Sequence, residues 1–174
     1  MTKNDAAVEK LKQTLTEVRG EIQGLAANDG TTAGTDMEDG SVFAGMTPDG
    51  KQIYAMPVDL GFTATFNDAA KAVKKLNEKK ALGHDDWQIP DLNTLKVLQR
   101  NQNQGSLKDT FNTSDKGSGS DCPDWYWSST EDRDSPSYVP IVRLSGGYEY
   151  WNRKDNLRLS CRPVRLVAAA PSRG

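Results

Sequence analysis

Six apolar residues near the start of the chain recur at spacings of 3, 4, 3, 4 and 3: Val8, Leu11, Leu15, Val18, Ile22 and Leu25. That is a heptad seam, with Val8, Leu15 and Ile22 at a and Leu11, Val18 and Leu25 at d. The spacing predicts a helix over residues 1–28, started by Asn4 or Asp5 accepting from the free N–H groups of its first turn. So narrow a stripe cannot enclose a core alone, so the globular part must come from the rest of the chain. Gly20 and Gly24 weaken the helix by about 1 kcal/mol each relative to Ala, and three heptads are short for a helix standing alone. The seam can pair with a copy of itself, dock on its own domain, or fray. The flanking Lys12, Thr14, Arg19 and Glu21 set no charge code and do not choose dimer over trimer. A homo-oligomer through Val8, Leu11, Leu15, Val18, Ile22 and Leu25 is the expectation carried forward.

The 174 residues hold 22 Lys+Arg against 24 Asp+Glu, with one His and two Cys, and mean hydropathy is −0.70. The length suits one domain plus an appendage, and such a domain buries roughly two-thirds of its unfolded surface. A net charge of −2 lacks the basic footprint of a nucleic-acid binder, so no nucleic-acid partner is expected. No apolar run approaches the ~18 residues of a membrane span, and the first residues lack the apolar stretch of a signal peptide. The expected location is cytoplasmic as synthesised, with export or carriage on a phage left open. Two cysteines cannot form a disulfide-dense scaffold.

Residues 29–39 are mostly Gly, Thr and Asp and read as a linker. The domain is expected over 40–167, followed by a tail over 168–174. SVFAGM and KQIYAMPV read as two strands joined by a Pro-Asp-Gly turn. A helix then begins after Thr65, with Asp68 placed for a capping box. Phe66, Ala69, Ala70, Val73 and Leu76 form its buried stripe. A further helix is capped by Asp91 and lined by Leu92, Leu95 and Leu98. Residues 101–124 read as a long surface loop, of a kind often functional. WYWSS, YVPIVRL, GYEYW and LRLSCRPVRLV read as strands, with Ser-Gly-Gly a hairpin turn. Pairing of strand 41–46 with 157–167 would close the domain and hide a sheet edge.

Four segments in this order, TFNDAAKAVKKLN, GHDDWQIPDLNTLKVL, WYWSST and LRLSCRPVR, resemble the Lcl C-terminal domain family of bacterial and phage proteins. The resemblance spans about residues 40–166 and leaves the N-terminal helix outside. It implies an α+β fold: a C-type-lectin-like domain with two helices and a small twisted antiparallel sheet, which the helix read from the heptad spacing precedes. It also implies recognition. Some relatives are adhesins for sulfated polysaccharides, and others are variable proteins of diversity-generating retroelements. No catalytic mechanism comes with it. The fold neighbourhood includes formylglycine-generating oxidases, but fold analogy is a weak warrant.

Several clusters invite chemistry. Trp87 suits a core anchor better than a sugar platform. His84, Asp85 and Asp86 are successive residues that cannot converge on one metal without a further partner. Trp125 and Trp127 should share one strand face, expected inside, with Tyr126 opposite and partly exposed. Glu131, Asp132 and Asp134 offer oxygens for calcium, yet no Glu-Pro-Asn or Gln-Pro-Asp segment accompanies them, so no cofactor is expected. In the implied fold Cys122 lies just before one sheet strand and Cys161 on the last; a bridge needs their Cα atoms within ~7 Å, a reduced pair suits the interior of a cell, and small buried residues are the plain alternative.

The densest candidate site is Tyr148, Tyr150, Trp151, Asn152, Arg153 and Asp155, with Ser129, Glu131, Asp132 and Arg133 at its rim. Tyr148 and Tyr150 should share a strand face, with Trp151 leading into a polar turn. Such aromatics give large contact area at low entropy cost, and Asn, Arg and Asp add adaptable hydrogen bonds. Arg143, Arg153 and Lys154 could meet sulfate or carboxylate groups. The expectation is a non-enzymatic recognition module for a protein or glycan ligand. A structural or assembly role in a phage or secreted particle is the alternative, and an enzyme of the formylglycine-generating kind ranks behind both. There is no serine nucleophile elbow, no phosphate-cradling Gly loop, and one His leaves little for acid–base work.

Overall fold

In the computed structural model the described residues are 6–15, 30–114 and 117–169. Residues 6–15 form helix α1, whose Val8, Leu11 and Leu15 are exposed. Val18, Ile22 and Leu25 lie outside the described residues, as does most of the tail over 168–174.

The remaining elements are strands β1 (Thr35–Asp36), β2 (Val42–Met46) and β3 (Lys51–Ala55), then helices α2 (Phe66–Glu78) and α3 (Leu92–Asn101). Strands β4 (Asp121–Trp127), β5 (Tyr138–Arg143), β6 (Glu149–Arg153), β7 (Arg158–Ser160) and β8 (Val164–Ala168) follow. The chain is therefore an α+β protein with an N-terminal helix. It has two four-stranded sheets rather than one small sheet, in the orders β1-β2-β3-β8 and β6-β5-β4-β7. All pairs are antiparallel except β4 with β7.

Local sequence explains both domain helices. The Thr65 hydroxyl accepts from the Asp68 N–H at 3.4 Å and starts α2. The Asp91 carboxylate accepts from the Thr94 N–H at 2.7 Å and starts α3. Each satisfies a donor that the first helical turn cannot pair internally. Ala69 and Val73 of α2 and Leu95 and Leu98 of α3 are buried, as their helical spacing requires. Two cores result. Leu95, Val97 and Leu98 join Val42, Ile53, Tyr126, Val142 and Val164 in one. Ala69 and Val73 join Trp87, Trp127, Val139, Ile141 and Leu159 in the other.

The strand of Trp125, Tyr126 and Trp127 alternates as expected, but its exposure does not follow the expectation. Tyr126 is fully buried, because β4 lies between the two cores and both of its faces are covered. Four further differences have similar causes. Segment 29–39 is not a plain linker: β1 pairs with Val42 and Phe43, and the Gly34 N–H donates to Phe43 O. Segment 101–124 is not all surface loop, since Leu107 and Phe111 enter the α3 core. Strand 41–46 does not meet the C-terminal strand; β3 does, with Ile53 opposite Leu166. And LRLSCRPVRLV is two strands, because residues 161–163 cross from one sheet to the other.

That crossing carries Arg162, a charged residue with no solvent exposure. Its Nε donates to Asp59 Oδ1 at 2.8 Å, its Nη1 to Met56 O, and its Nη2 to Thr110 O and Oγ1. The guanidinium lies over the Phe111 ring at 3.9 Å. The Tyr126 hydroxyl donates to Asp59 Oδ2 at 2.5 Å and accepts from the Asn112 N–H. Burial and the nearby Asp59 carboxylate push the Tyr126 hydroxyl well above its ordinary pKa. This network ties the loop after β3 to the loop after α3 and locks the frame under the sheets.

Candidate functional site

The hairpin of β5 and β6 follows from its turn. Tyr138 faces Arg153, Pro140 faces Trp151, Ile141 faces Tyr150 and Val142 faces Glu149. The Arg143 N–H donates to Tyr148 O, the Lys154 N–H donates to Ser137 O, and Gly147 takes a positive φ of 69° to close the turn. Pro140 is tolerated inside the sheet because β4 ends beside it, at the Trp127–Ile141 pair.

Partners directly opposite in an antiparallel ladder share a face. Tyr150 and Asn152 therefore lie on the side of Ile141 and Val139, which belong to the α2 core. Glu149 lies on the side of Val142, which belongs to the α3 core, and Trp151 follows it. Trp151 is thus inside the strand and on its opposite face from Tyr150, not at the entry to a polar turn. Both faces of β6 reach solvent. Tyr148 and Tyr150 are each 66% exposed and Trp151 43%. Tyr138, also exposed, sits in register with Arg153 and completes the aromatic group. Sequence reasoning missed it, although counting back from the Ser145-Gly146 turn centre would have placed it there.

The charges around these rings are mostly paired. Arg153 grips Asp155 through two bonds of 3.1 Å, and this carboxylate raises the pKa of the guanidinium. Lys96 of α3 meets Glu149 at 2.7 Å. Lys154 meets Glu131 at 2.6 Å and sits 4.9 Å over the Phe66 ring, so it anchors the β6–β7 turn to α2. Arg143 is bound to the buried Asp124.

Of the rim, Glu131 is brought to the hairpin through Lys154. Asp132 accepts from the Asp134 N–H and shapes its own loop. Arg133 is exposed on that loop. Ser129 points the chain elsewhere: its N–H donates to Pro90 O, and it lines two grooves together with Gln88. Trp87 is a core anchor, its indole N–H donating to Ala81 O. His84 pairs with Asp39 at 2.7 Å. Burial raises the Asp39 carboxyl, but bonds from Ser41 and His84 outweigh it and leave the pKa lowered. Among the described residues no group of three His, Cys, Asp or Glu side chains is arranged to hold a metal ion. Cys122 and Cys161 are free thiols, and burial pushes both up in pKa. No described helix is long and apolar enough to cross a membrane.

The family model of the Lcl C-terminal domain matches residues 51–165, more than half of the chain. The chain belongs to the Lcl C-terminal domain family. A search of curated proteins returns no match. The part matched to the Lcl C-terminal domain begins at β3 and ends on β8, so it contains both domain helices, the Arg162 crossing and the whole β5–β6 hairpin. Helix α1, β1 and β2 lie outside it.

Proposed function

We propose that this Lcl C-terminal domain is a non-catalytic recognition module, with a C-type-lectin-like frame, that binds a protein or glycan ligand at the β5–β6 hairpin. The observation that carries the reading is the exposure of Tyr148, Tyr150 and Trp151 on a hairpin held by a doubly cored sheet. Large rings left in water on a rigid support are the usual anchors of a binding surface. Asn152, Arg153 and Asp155 supply hydrogen bonds beside them, with Glu131 at the rim. Loops on a stiff scaffold carry function for the same reason. The retroelement-variable or adhesin type is the version this reading favours.

Copies joined through α1 would strengthen a shallow site, since linkage raises avidity by ~10²–10⁴ without a new contact. The exposed Val8, Leu11 and Leu15 favour that arrangement, and they are also what an assembly role would use. A combined Tyr148→Ala, Tyr150→Ala, Trp151→Ala variant tested on a glycan and protein array separates the two. Loss of binding with an unchanged melting curve is expected; unchanged binding would reject the site. A reverse transcriptase gene beside a near-copy of the gene's 3′ end, differing mainly at adenines, would identify the variable-protein version.

A further inference from the structure

The edges of the two sheets are not alike. Strand β1 is two residues long, and Gly34 beside it accepts from the Ser106 N–H. Strand β7 is three residues long and is bridged by Ala64 at Leu159. Strand β8 is bridged by Gln88 at Val164. Short edges and covering segments are how sheets avoid pairing with other chains. Strand β6 is five residues long, has no Pro and no bulge, and has no bridge among the described residues.

The parity of the hairpin decides what this edge presents. Tyr148 and Lys154 bond inward to β5, and residues at even spacing from them do the same. The main-chain groups of Glu149, Trp151 and Arg153 therefore point away from the sheet. Those of Arg153 are already used: its N–H donates to Asn152 Oδ1 at 2.8 Å, and its C=O accepts from the Asn156 N–H. Glu149 and Trp151 remain, offering N–H and C=O at the two-residue repeat of about 6.8 Å that another strand would match. Asn152 closes the open window at one end and the Gly147 turn closes it at the other.

We propose that β6 is a docking edge for an extended, uncharged polypeptide segment of another protein. This deepens the recognition reading and rests on it. The segment would pair with the main chain of Glu149 and Trp151. Its alternate side chains would lie against Tyr148 and Tyr150 on one face and Trp151 and Tyr138 on the other. Main-chain bonds then supply affinity and the aromatic faces supply selection. The side-chain charges nearest the edge are neutralised within the chain, as Glu149–Lys96 and Arg153–Asp155, so an uncharged segment fits best.

The test pans a phage-displayed library of short random peptides against the full chain. Selected peptides are then resynthesised with one amide N-methylated at a time. Methylation at alternate amides should weaken binding about ten-fold, as expected for a lost hydrogen bond, and at the amides between should not. Glu149→Pro should match that loss, because it removes an outward N–H and none of the rings. If Glu149→Pro fails to fold, the methylation scan alone decides. Selection of no peptide, or equal tolerance of methylation at every amide, overturns the proposal. A fall in the mass per particle on Glu149→Pro would also overturn it, since a second copy would then be the occupant. Glycan binding that is lost in the triple alanine variant, without peptide binding, would overturn strand docking and leave the recognition reading standing.

Discussion

Two parts of this molecule use the same three residue types for opposite ends. Under the sheets, Tyr126, Asp59 and Arg162 form a closed network in which the guanidinium has no exposure. On the hairpin, Tyr138, Asp155 and Arg153 stand together in water. Chemistry does not separate them; solvent does. A buried charge must have every donor answered or it costs several kcal/mol, so the inner set is committed to holding loops together. The outer set can exchange its partners for those of a ligand at little cost, because water screens what it gives up.

Substitutions made in pairs test that contrast. Arg162→Met leaves Asp59 buried without its counter-charge, and should lower unfolding free energy by about 3–5 kcal/mol in urea titration. Arg153→Met should change it by less than about 1 kcal/mol. An equal effect at the two positions would mean that burial is not what distinguishes them. Trp127→Ala removes a buried ring whose N–H donates to Ala64 O, and should cost about 3–5 kcal/mol. Trp151→Ala should stay within about 0.5 kcal/mol while ligand binding falls. The smallest of the buried losses, about 1–3 kcal/mol, is that of Tyr126→Phe, which unpairs the Asn112 N–H and one Asp59 oxygen. Tyr150→Phe should leave the melting temperature where it was.

Much of the frame was legible in the chain. Thr65 and Asp91 announce their helices because capping is local. The Ser-Gly-Gly turn announces the hairpin, and with it the clustering of Tyr148, Tyr150 and Trp151 near one another. Alternation along Trp125, Tyr126 and Trp127 was also readable. The covering of both faces was not, since a period of two says which residues share a side and nothing about what lies above it. Arg162 carried no signal of its own: an Arg between Cys161 and Pro163 looks like an ordinary strand residue until the chain is seen to leave one sheet for the other. The placing of Trp151 on the reverse face needed the register, and the openness of the β6 edge needed the positions of all the other edges.

The order of residues was enough to set the elements: a heptad stripe, two capped helices, a hairpin with its aromatic residues, and a net charge near zero. These depend on interactions between residues a few positions apart, which the order of the chain fixes directly. Which polar groups are sealed and which aromatic rings meet water follows from the packed arrangement of the whole domain. Burial is set by segments brought together from opposite ends of the domain, as Arg162 is with Asp59 and Thr110, and no local pattern records who those neighbours will be.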